Sequence, residues 1–82
     1  MQLDQLPLRQ KWRVSDIEWN NISESEGHRL RSLGLDEGVT VEALHRGIFL
    51  GRDPLAIRVG RMTIAVRRKV ASAIMCELEQ HG

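Results

Sequence analysis

Residues 29–68 read RLRSLGLDEGVTVEALHRGIFLGRDPLAIRVGRMTIAVRR, and one change of period inside them limits the fold more than any other feature. Before it, apolar residues follow helical spacing. Ser23 and Glu26 have the S-x-x-E spacing of a capping box, Leu30 and Leu33 share a face, and Gly34-Leu35 can close the helix in a left-handed turn. Arg29 and Arg31 sit where the negative end of the helix dipole favours cations. After the turn at Asp36-Glu37-Gly38 the period is two. Val39, Val41 and Ala43 oppose Thr40 and Glu42, and Ile48–Leu50 form a short apolar run. Leu55, Ile57 and Val59 then alternate with Ala56 and Arg58, and Met62, Ile64 and Val66 with Thr63, Ala65 and Arg67. Gly60-Arg61 between the last two predicts a hairpin with a type II′ turn. A helix followed by strands with one apolar face predicts a small β-barrel.

The flanks complete this picture. Leu3, Leu6 and Leu8 around Pro7 form a lead-in, extended or turned. Trp12 to Trp19 reads as the first strand, with Trp12 and Val14 in one phase and Ile17 and Trp19 in the other, as a bulge would produce. The tail fits helix or strand by pattern. Because a barrel hides its edges by setting its last strand beside its first, the expectation is a brief helix at Arg68–Ala73 and a strand from Ile74.

Eighty-two residues make one domain, 1–82, near the lower limit for a fold held by an apolar core. A lone Cys76 cannot form an internal disulfide and suits a reducing compartment. The N-terminus lacks the apolar run of a signal peptide, and no stretch is long and apolar enough to span a bilayer. The expectation is a cytoplasmic protein without direct membrane insertion. From His45 to Lys69 seven basic residues face one acid, Asp53, a net +6, while the rest of the chain carries a net −5. This asymmetry fits a dipolar surface that orients a charged partner, and equally a solvated strand face.

No catalytic motif, nucleotide-binding loop or metal-ligand spacing is present. Cys76 lies in an apolar alternation, as an inert buried thiol would, and His28, His45 and His81 are scattered. Hence no catalytic residue, metal ligand or cofactor is expected. Arginines could neutralise phosphates, but base stacking needs exposed aromatics, and both tryptophans fall in the first strand's core pattern. Nucleic acid is therefore disfavoured. Protein binding fits better, through Phe49, Leu50, Gly51, Arg52, Asp53 and Pro54 of the middle loop with Arg58, Arg67 and Arg68 of the hairpin. Phe49 filling the barrel mouth fits the same pattern.

The chain resembles the ferrous iron transport protein A (FeoA) family over residues 3 to 78. The resemblance rests on Leu3-Asp4-Gln5-Leu6 in the lead-in, Val14 and Ile17, and the helix ending Arg29-Leu30-x-x-Leu33-Gly34-Leu35. It continues through Asp53-Pro54, Val66-Arg67-Arg68, Ala71, Ile74 and Cys76. Glu37 replaces a usual proline, Arg52 is inserted before Asp53, and Arg9 stands near a usual glycine. The resemblance implies a mainly β fold, an SH3-like barrel of five to six strands with one capped helix and a short helical turn before the last strand. It also implies a non-enzymatic accessory of ferrous iron uptake, bound to the cytosolic GTP-binding region of the membrane iron transporter. Alternatives are a stand-alone regulatory module related to the C-terminal domain of metal-dependent repressors, or a nucleic-acid-binding small barrel. Exposed barrel edges leave homodimer formation open.

Overall fold

A computed structural model describes residues 1–49 and 53–79, with Ile48 and Phe49 described by their backbone alone. Its strands are β1 (Lys11–Ile17), β2 (Thr40–Phe49), β3 (Asp53–Val59), β4 (Met62–Val66) and β5 (Ile74–Leu78). They form one antiparallel sheet in the order β4-β3-β2-β1-β5. Helix α1 spans Glu24–Ser32, and a single helical turn, α2 (Arg68–Ala71), precedes β5. The fold is therefore mainly β with one helix and a short helical turn, as the sequence pattern and the resemblance imply, and the last strand lies beside the first.

Local chemistry explains the helix ends. Ser23 Oγ accepts from the Glu26 N–H at 3.2 Å, which forms one half of the expected box. Glu26 Oε1 is engaged by Arg29 Nε at 2.6 Å rather than turning back on the cap. At the other end Leu35 N–H reaches Leu30 C=O at 2.9 Å and Gly34 N–H reaches Arg31 C=O at 3.0 Å, with Gly34 at φ +93°. This pair of bonds is a Schellman closure, and its Leu30 and Leu35 are both fully buried. Gly60, at φ +59°, and the Val59↔Met62 pair make the expected two-residue hairpin.

The apolar faces of the strands meet over one core. Leu3, Leu6, Val14, Leu30, Leu35, Val41, Ile57, Val66 and Ile74 are its most buried large side chains. Leu3 and Leu6 enter it from a 3-10 turn at Leu3–Gln5, while Leu8 stays exposed. Each buried leucine contributes about 1.5–3 kcal/mol relative to exposure, so the lead-in acts as a plug rather than a tail.

Three local expectations change. Strand β1 stops at Ile17, after the predicted bulge between Val14 and Asp16, and Trp19 leaves the sheet for a 3-10 turn at Trp19–Asn21. Glu18 N–H still bonds Ala73 C=O at 2.9 Å in the β1–β5 register, and the turn that follows is closed by Ile22 N–H on Trp19 C=O at 3.1 Å. The alternation from Thr40 and the apolar run near Ile48 belong to one long strand, because a register shift between Ala43 and His45 buries Ala43 and Leu44 in succession. Met62 is exposed at the hairpin end, although its alternation assigns it inward.

Candidate partner-binding surface

The predicted surface residues separate into two groups. Strand β3 begins at Asp53-Pro54, and β4 runs directly into α2 through Arg67. These chain ends meet. Asp53 Oδ1 accepts from the Arg68 backbone N–H at 2.8 Å, and Asp53 Oδ2 lies 3.9 Å from Arg67 Nη1. Arg68 Nε lies 3.8 Å from Asp4 Oδ2, whose side chain is nine-tenths buried. Pro54, Arg67 and Arg68 are exposed there.

Arg58 belongs to the other group. Five residues along β3, roughly 17 Å at about 3.3 Å per residue, it faces Glu42 on β2 and Thr63 on β4. With Lys11, Thr40, Gly60 and Glu79 it lines a shallow depression of mixed charge. Leu50, Gly51 and Arg52 lie outside the described residues, as does the side chain of Phe49.

Not every basic residue of the +6 segment is available to a partner. Arg46 Nη2 donates to Leu6 C=O at 2.7 Å, so this cation binds the lead-in turn to β2. Gly47 explains how β2 passes the start of β3. A Cβ there would stand 2.5 Å from Asp53 C=O oxygen and 2.9 Å from Pro54 N, both of them backbone. No sequence signal for this approach existed beyond the presence of a glycine inside an alternating segment.

Sequence reasoning also missed a second surface. Trp19 is half-buried against α1, and the Arg31 guanidinium lies 4.0 Å from its ring centroid in a cation–π contact. His28, Ser23 and Ile22 line the adjoining depression. Asn20-Asn21 follows Trp19 and so marks a strand end only after it, and no local signal sets Trp19 outside the sheet.

Cys76 is buried in β5, and burial pushes its thiol up to about 11, with the Met1 ammonium pulling weakly in the other direction. It is a protonated core thiol at neutral pH. Among the described residues no three His, Cys, Asp or Glu side chains converge on a common point, and no helix is long and apolar enough to cross a membrane.

The FeoA domain family model matches residues 1–78. The chain belongs to the FeoA family. No match was found among curated proteins. Among solved structures, iron(II) transport protein A from Clostridium thermocellum superposes with a TM-score of 0.80 at 22% identity, over 95% of this chain and 45% of that one. The chain thus spans less than half of that relative. FeoA from Stenotrophomonas maltophilia, complexed with zinc and described as a prokaryotic SH3 domain protein, gives 0.76 at 28% identity, over 94% and 89%. IdeR from T. acidophilum gives 0.76 at 20% identity over 96% of this chain and 34% of its own, a likeness of fold alone.

Proposed function

We propose that this FeoA domain, as a single unit over residues 1–82, is a non-enzymatic cytoplasmic accessory of ferrous iron uptake that binds the cytosolic region of the membrane iron transporter. The observation that carries this reading is the family match over residues 1–78. The Stenotrophomonas relative, described as a candidate activating factor for bacterial ferrous iron transport, supports it. Contact would run through the Phe49–Pro54 connection and the exposed Arg58, Arg67 and Arg68. Arg67 is 78% exposed, and its distant carboxylate partner at 3.9 Å holds it weakly.

The test is binding of purified protein to the transporter's complete cytosolic region across a salt series. Binding that weakens with salt is expected, because rim charges of this kind steer association and are screened. Exchanging Arg67 and Arg68 together for glutamate should weaken it by about tenfold while the barrel stays folded. No binding at low salt sinks the transporter reading, and unchanged affinity of the double variant removes these arginines from the contact.

A further inference from the structure

The two edges of the sheet differ. At β5 the edge is covered: the Met1 ammonium donates to Cys76 C=O at 2.8 Å, Cys76 N–H returns to Met1 C=O at 2.8 Å, and Gln2 bridges to Met75. Among the described residues no strand pairs with β4 on the side away from β3. Its pairing with β3 is regular over five residue pairs, without bulge or proline.

The hairpin fixes what this edge presents. Val59 and Met62 flank a two-residue turn and so form a hydrogen-bonded pair. Bonding alternates along an antiparallel ladder, so Thr63 and Ala65 point their N–H and C=O groups away from β3. Arg29 supports that direction independently, because its Nη2 donates to Ala65 C=O at 3.1 Å. A donor already stands where the N–H of a pairing strand would lie. Among the described residues, the Thr63 N–H and C=O and the Ala65 N–H have no hydrogen-bond partner.

Charge selects the occupant. Arg61 and Arg67 flank the strand, Arg58 stands across from Thr63, and Arg29 closes one side. Of the nearby carboxylates, Glu26 is held by Arg29, Asp53 takes the Arg68 backbone N–H and lies 3.9 Å from Arg67, and Glu42 stands across from Arg58 on the β2 side. A second copy of the chain fits poorly. Antiparallel self-pairing centred on Ile64 would set Arg61 opposite Arg67 of the second copy, and like charges directly opposite are destabilising. A nucleic-acid backbone would meet the arginines but leave the outward Thr63 C=O unmatched. An extended acidic polypeptide satisfies the Thr63 N–H and C=O and the Ala65 N–H.

We propose that β4 is a docking edge that takes an extended acidic segment of a partner protein as an added strand. Main-chain bonds form at the Thr63 N–H and C=O and at the Ala65 N–H, Arg29 keeping the Ala65 C=O, and the carboxylates meet Arg58, Arg61 and Arg67. This deepens the partner-binding reading above and rests on it for the identity of the protein that supplies the segment.

The experiment titrates the isotopically labelled chain with a short peptide alternating glutamate and valine, and with the same peptide N-methylated along its pairing edge. Thr63 and Ala65 amides should shift most and exchange more slowly. The N-methylated peptide should bind about tenfold more weakly, the loss of roughly one hydrogen bond. Thr63→Pro should abolish peptide binding while the fold persists, since the Thr63 N–H does not serve β3. If that variant does not fold, the comparison of the two peptides decides alone. Equal binding of both peptides, shifts centred elsewhere, or binding of a single-stranded oligonucleotide but not the peptide overturns the proposal. The transporter's cytosolic region binding wild type and a folded Thr63→Pro variant alike would overturn the edge and leave the transporter reading standing. Failure of that region to bind at all, with peptide shifts at Thr63 and Ala65, would do the reverse.

Discussion

Asp53 accepts a 2.8 Å hydrogen bond from the backbone N–H of Arg68, the first residue of α2. This bond spans fifteen residues of sequence and ties the start of β3 to the end of the β3–β4 hairpin. It gives the residue a role in the scaffold as well as a place beside the proposed contact. Asp53→Ala should lower stability by about 1 kcal/mol, as removal of a carboxylate from a helix-start N–H does. Asp53→Asn, which keeps an acceptor oxygen, should lose less. Urea unfolding of both variants checks this, and an Asp53→Ala midpoint equal to wild type contradicts it.

Two glycines make opposite forecasts. At Gly47 a Cβ would overlap the Asp53 backbone, which cannot swing aside like a side-chain tip. Gly47→Ala should therefore destabilise by about 2 kcal/mol. At Gly27, inside α1, the Cβ would sit 3.5 Å from the Trp19 ring in ordinary contact. Gly27→Ala should stabilise by about 0.5–1 kcal/mol, the helix preference of alanine over glycine. Thermal melts of the pair shifting in the same direction would contradict this reading.

Arg9 carries a positive φ of 65°, in the left-handed region that a Cβ disfavours. Its N–H bonds Ala43 C=O at 2.8 Å, which keeps the backbone in place. This is the position near which the family resemblance implies a glycine. Arg9→Gly should raise stability by up to about 1 kcal/mol, measured by chemical unfolding. A loss would show that the arginine side chain contributes more than the strain it imposes.

Cys76 gives a pH forecast. Burial raises the thiol above its ordinary value, to about 11, so above about pH 9 the unfolded chain releases this proton while the folded chain holds it. The contribution is complete below about pH 9 and falls away as pH rises toward about 11. Cys76→Ala should flatten the stability profile across that window, by on the order of 2 kcal/mol. A thiol-reactive disulfide reagent at about pH 8 should modify the native protein far more slowly than the urea-unfolded one. Parallel profiles for the two proteins would contradict the assignment.

Much of the barrel was readable from neighbours in sequence. Leu30, Leu33, Gly34 and Leu35 spell out a helix and its closure because those bonds reach only a few residues. Leu55, Ile57 and Val59 declare a strand because successive side chains alternate. Trp19 was misassigned for a related reason. Its apolar character fits the sheet as well as the groove beside α1, and the Arg31 and Gly27 contacts that hold it in that groove come from a different element. The proposed contact residues were harder still. Asp53 and Arg68 look like neighbours of a loop and a strand end, and nothing local says that they bond. Arg46 reads as one more surface cation until Leu6 C=O is found against it.

The sequence by itself determined the elements, their order and which face of each is apolar, since capping, turns and alternation are short-range properties of the chain. It also carried the FeoA motifs, which lie mostly in scaffold residues. Tertiary structure decided which arginines are held, which glycine admits a close backbone crossing, and which edge of the sheet is left open. Those outcomes depend on where the sheet bends and which distant segments it brings into contact. One edge is closed by Met1 and Gln2, and along β4 no further strand pairs among the described residues, with arginines on either side.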